Sequence, residues 1–125
     1  MRPRSEELLA SAREWLSTAE ATLRAGFPGA AAADAYYAIF YAARGALSEE
    51  ERHAKTHHGT WSLFGELFVQ TARFDRDLYR AARVAEERRL DIHYEAVAIS
   101  QAEAREAVAD ARRFIEAIGR LVKSM

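Results

Sequence analysis

Histidine and tyrosine supply most of the reactive groups in this 125-residue sequence. His53, His57 and His58 lie within six positions of one another, and His93 follows the pair Arg88 and Arg89. An imidazole titrates near neutrality, so each of these four could carry a proton or ligate a metal. His53 and His57 stand at i and i+4, which presents two ligands on one face if the segment is helical. No His-Glu-x-x-His pattern and no third ligand accompanies them, so no metal and no cofactor is expected. Cysteine is absent, which removes disulfides and thiolate chemistry and suits a reducing cytoplasm. Tyr36, Tyr37 and Tyr41 could stack nucleic-acid bases, because every base presents a π-face. Their helical spacing also suits a packed core, as does the placing of Trp15 and Trp61. Arg88 and Arg89, beside Glu86 and Glu87, fit a solvated helix end where the dipole favours cations. For His93 the competing role is a half-buried imidazole bonded to backbone.

The elements that must position these residues read as helices throughout. Leu8, Ala12, Trp15, Leu16, Ala19 and Leu23 recur at helical spacing and predict a first helix from Arg4 to Ala25. Gly26-Phe-Pro-Gly29 ends it, since Gly suits a left-handed cap and Pro28 cannot continue a helix. A second helix follows from Ala30 to Leu47, with Tyr36, Ile39, Phe40, Ala43 and Leu47 on one stripe and Tyr37 and Tyr41 beside it. It offers more apolar faces than one short bundle needs, which suits a two-fold dimer. Ser48 to His58 is polar, carries Glu49, Glu50 and Glu51, and predicts a mobile loop. Trp61, Phe64, Leu67 and Phe68 predict a short third helix over Thr60–Thr71. Asp75 is the expected N-cap of a fourth, ending near Arg89. Between Arg88 and Ile99 the periodicity is lost. Ser100-Gln-Ala-Glu103 has capping-box spacing and opens a fifth helix reaching Leu121.

Composition sets the outer limits. The length fits one domain, residues 1–125, and hydrophobic residues at 50% with only 6 Gly and 2 Pro favour an all-α fold. The longest apolar run, Ala35 to Ala43, is far too short for a membrane span, and Ser5 to Glu14 lacks a signal-peptide core. No membrane partner is expected. A formal net charge of −1 argues against duplex DNA, though a local basic patch could still meet RNA.

Three blocks in order, Ala35-Tyr-Tyr-Ala-Ile-Phe-Tyr-Ala-Ala-Arg44, Lys55-Thr-His-His-Gly59 and Phe64-Gly-Glu-Leu-Phe-Val69, resemble the HEPN family, in particular its small stand-alone bacterial and archaeal members. The resemblance runs from about Leu8 to Leu121. It implies an up-and-down four-helix bundle with one additional short helix. It also implies a homodimer, a minimal nucleotidyltransferase as antitoxin partner, and metal-independent cleavage of RNA. In ribonuclease members an Arg followed after four to six residues by a His supplies the chemistry, with two copies meeting across the dimer. Arg88-Arg-Leu-Asp-Ile-His93 matches with Arg-x4-His spacing, whereas Arg89 gives Arg-x3-His. Carried over, His93 moves the proton and Arg88 stabilises phosphoryl charge, with Arg89 second. Asp91 and Tyr94 are further candidates, because the segment blends this motif with the Arg and Asp-Tyr form of the small subgroup. Arg89 stands where ribonuclease members usually carry Asn, Asp or His. A catalytically silent module that holds a nucleotide or docks a partner protein is the alternative, and a purely structural dimer is a third.

Overall fold

Alanine lets one helix be surrounded. α2, Pro28–Glu49, buries thirteen of its 22 residues, most of them alanine, and small side chains allow neighbours to approach on several sides at once. In the computed structural model, which describes residues Met1–Met125, α2 packs against α1 (Pro3–Arg24), α3 (His57–Phe64), α4 (Arg76–Tyr94) and α5 (Gln101–Lys123). α1, α2, α4 and α5 form an up-and-down bundle of four, and α3 is the additional short helix. The extra apolar faces of α2 are therefore covered by the chain's own helices rather than left for a second copy. At Gly45 a Cβ would lie 2.8 Å from Leu9 Cδ2, so the missing side chain is what admits α1.

Helix ends follow local chemistry. Gly26, with φ of +88°, closes the reversal after α1. Pro28 then opens α2 instead of merely ending α1, because its fixed φ suits the first helical position and its missing N–H is not needed there. Asp75 accepts the Leu78 N–H at 2.9 Å, and Ser100 and Glu103 make the reciprocal capping box of α5. The third helix starts earlier than the apolar pattern suggests, with Thr56 as N-cap accepting the Gly59 N–H at 2.8 Å. It passes into a π-helical turn, Gly65–Val69, before ending.

Two segments differ from expectation for tertiary reasons. The polar loop shrinks to residues 50–56 and is tethered: Glu49 accepts the Arg2 N–H at 2.8 Å, Glu51 pairs with Arg2, and Glu50 pairs with Arg73. α4 runs on to Tyr94 because Ile92, in its last turn, packs against the core beside Gly29 at the start of α2. The Asp91 carbonyl then accepts the Glu95 and Val97 N–H groups, with Ala96 at φ +53°. At the opposite end of the bundle Trp61, Phe64, Phe68, Phe74 and Phe114 form an aromatic core.

Candidate functional site

Because α4 continues through residues 88–94, helical geometry decides which of its side chains can act together. Arg89 and His93 are one turn apart and share a face, while Arg88 is rotated by about 100°. Arg88 acts on the start of α5. The Glu103 carboxyl there is held below its ordinary value, first by the Ser100 backbone N–H, then by the Ser100 side chain, with the Arg88 charge adding to it. The Arg-x4-His spacing therefore does not place Arg88 and His93 side by side. Arg89 and His93 both face α2.

Arg89 is held by aromatic rings. Its guanidinium carbon lies 5.0 Å from the Tyr36 ring centre and 5.7 Å from that of Tyr37. Nη1 reaches the Tyr37 hydroxyl at 3.5 Å. The Nε–H is buried and has no protein partner. The two rings and the Tyr37 hydroxyl offset part of the cost of half-burying this cation, and the Nε–H adds a donor whose burial is uncompensated.

Behind Arg89 lies a chain of buried polar groups. Trp61 Nε1–H, which can only donate, reaches the Tyr36 hydroxyl at 3.2 Å, and that hydroxyl meets His57 Nδ1 at 2.7 Å. A neutral His57 accepts a hydrogen bond donated by the Tyr36 hydroxyl in this arrangement. Burial pushes the Tyr36 hydroxyl up to about 12, so it stays protonated. The His57 ring stacks on Phe40 at 4.0 Å with a 5° tilt. Burial, and then the Arg89 charge, keep His57 below the usual imidazole value. Tyr36 is fully enclosed and cannot stack a base, whereas Tyr37 and Tyr41 are half-buried. Trp61 is fully buried and Trp15 half-buried.

His93 stands exposed in the last turn of α4. Opposite it on α2 is Asp34, half-buried, accepting a hydrogen bond from Thr22 Oγ1 at 3.2 Å. Burial raises the Asp34 carboxyl, while the Thr22 hydrogen bond and the His93 charge both pull it down. Asp34 was not singled out from sequence, although an acid isolated among Ala30 to Ala38 was a usable signal. Asp91 is exposed, and its backbone rather than its carboxylate does the capping. Tyr94 is 72% exposed and stands apart from the Arg89 cluster. His53 lies in the loop before α3 and His57 begins the helix, so the i, i+4 relation never forms.

A family model described as HEPN domain matches residues 5–121. A UPF0332 protein of Gloeobacter violaceus is 29% identical over 118 residues, covering 93% of this chain and 94% of that one. The crystal structure of TT1696 from Thermus thermophilus superposes with a TM-score of 0.82 at 23% identity, over 96% of this chain and 99% of that chain. At that identity the likeness speaks for the fold. No helix here is long and apolar enough to cross a membrane.

Proposed function

The chain belongs to the HEPN domain family, and on that premise we propose that it is a cytoplasmic, metal-independent endoribonuclease, the toxin-like member of a pair with a nucleotidyltransferase antitoxin. One observation carries the chemistry: the half-buried guanidinium of Arg89, held on the Tyr36 and Tyr37 rings, lies one helical turn from an exposed imidazole, that of His93. His93 takes the proton of a ribose 2′-OH as that oxygen attacks the adjacent phosphorus. Arg89 neutralises charge on the phosphoryl oxygens, a task suited to a planar guanidinium. Asp34 lies across from the imidazole on α2 and positions it. The products are a 2′,3′-cyclic phosphate and a 5′-hydroxyl, whose proton comes from the His93 of a second copy. Dependence on the 2′-OH makes RNA the substrate and spares DNA.

The second copy docks on α4 in this proposal. Leu90, Tyr94 and Val97 are exposed at 40%, 72% and 48%, a run of apolar side chains next to His93 that an isologous two-fold contact would cover. Light scattering at micromolar concentration should give twice the mass of the chain, and a monomer would remove the composite site. The catalytically silent alternative has its own support, because Tyr36 and Tyr37 already hold Arg89 in place and the same guanidinium could grip a nucleotide phosphate without cleaving anything. Incubation of purified protein with single-stranded RNA, with and without chelator, decides between them. Cleavage that survives chelator supports the nuclease. Binding of a nucleotide or a nucleotidyltransferase with no cleavage of any pool supports the silent module.

A further inference from the structure

The C-terminal end of α2 carries a second concentration of cations that the proposed chemistry does not use. A cavity of about 370 Å³ there is lined by Arg4, Arg44, Arg52 and His53, with Ser48 and the buried Thr60 among its other walls. A smaller one of about 260 Å³ shares Arg44 and His53 with it and adds Lys55, Tyr41 and His57. No carboxylate lines either cavity.

The acids that sequence places beside these cations are engaged elsewhere. Glu49 and Glu51 are held by Arg2, and Glu50 by Arg73. Arg44, Arg52 and Lys55 consequently make no ion pair, and Arg4 shares its charge only with the exposed Glu7. A cavity lined by Arg76, Arg80 and Arg83 makes the contrast, since Asp77 pairs with Arg80 and Glu86 with Arg83. Like charges left unneutralised along a concave wall repel one another, and a bound anion relieves that repulsion.

The two cavities also lead toward the catalytic face. His57 closes the smaller one, stacks on Phe40, and feels the Arg89 charge. Arg44 lies over the ring of the half-buried Tyr41, 5.7 Å from its centre, so a π-face accompanies the cations. Spaced cations beside aromatic rings suit an extended strand of phosphates better than one compact anion. We propose that the paired cavities form a phosphate-binding track that holds the backbone of single-stranded RNA leading to Arg89 and His93. The identity of the ligand rests on the nuclease assignment. The charge separation does not.

Fluorescence anisotropy with a single-stranded 2′-O-methyl oligonucleotide tests binding alone, since that strand has no free 2′-OH and cannot be cut. Wild-type affinity should fall linearly on a logarithmic salt scale. Arg52 and Lys55 are exposed, so Arg52→Ala with Lys55→Ala should keep the melting temperature, weaken binding about tenfold, and reduce the salt slope by about 0.7 for each phosphate no longer neutralised. Unchanged affinity and slope in that variant overturn the track. Inorganic phosphate or a mononucleotide displacing the strand at equal affinity also overturns it, in favour of a compact anion site. If the wild type binds the strand through Arg52 and Lys55 yet cuts no unmodified RNA, the track stands and the nuclease assignment falls. If it cuts RNA while the variant binds and cuts equally well, the nuclease stands and the track falls.

Discussion

α2 and α4 have similar lengths, 22 and 19 residues, but α2 buries thirteen of them and α4 only Ala82 and Ala85. α2 is mostly small and apolar, so it can be packed on every side. α4 meets the bundle along a narrow stripe and leaves Arg88, Asp91, His93 and Tyr94 in contact with water to varying degrees. A helix enclosed on all sides carries the stability of the fold and tolerates little change. A helix attached by one stripe is free to carry charge. Substitutions on α2 should therefore register in unfolding, and those in the last turns of α4 in activity.

The sharpest test lies on α4. His93→Ala should reduce RNA cleavage by about 100- to 10,000-fold, the usual contribution of general acid–base catalysis, with the melting temperature nearly unchanged. Arg89→Ala should also abolish cleavage, while Arg88→Ala keeps most of it, because Arg88 faces α5. If Arg88→Ala were the inactive variant, sequence spacing rather than the shared helical face would choose the arginine. Mixing the two inactive proteins should restore little cleavage, because each cut draws on the His93 of both copies and a mixed dimer keeps only one; full recovery would show that a single His93 suffices.

On α2, Phe40→Ala should cost about 3 to 5 kcal/mol, the range for truncating a buried aromatic side chain. That is a large part of a small domain's stability. Denaturant titration reads it directly, and a loss below about 1 kcal/mol would erase the contrast between the helices.

A smaller effect tests the contact between them. His57 is held below its unfolded value of 6.5, so the unfolded chain takes up this proton first as pH falls. Its contribution is complete above that value and is lost as pH drops toward the folded value. Melting temperature should decline through this range, and less steeply in His57→Gln. Asp34, raised by burial, acts in the opposite sense at lower pH, so the comparison belongs between about pH 7 and 5.5. Equal slopes would mean that Arg89 and Phe40 do not shape the His57 environment.

The smallest effect is at the exit from α4. Ala96 has φ of +53°, a left-handed conformation that is strained for alanine. Ala96→Gly should add up to about 1 kcal/mol and raise the melting point by a few degrees without altering cleavage. A fall in stability there would indicate that the Ala96 methyl group contributes more than its strain costs.

Local signals were enough for the all-α fold, most helix starts and the family. The capping oxygens of Asp75 and Ser100, the left-handed Gly26, and apolar residues repeating at helical spacing all act within a few residues. The second helix was legible to within two residues at each end. The candidate site was legible only in part. Arg88, Arg89 and His93 were visible as residue types, but which arginine shares a face with His93 depends on whether α4 continues past Arg89. That in turn depends on Ile92 finding the start of α2. The pairing of Tyr36 with His57 spans 21 residues, and Arg89 meets Tyr37 across 52. No short-range pattern encodes such meetings, because only the packed bundle brings distant side chains within reach and removes the water that would otherwise weaken their interaction.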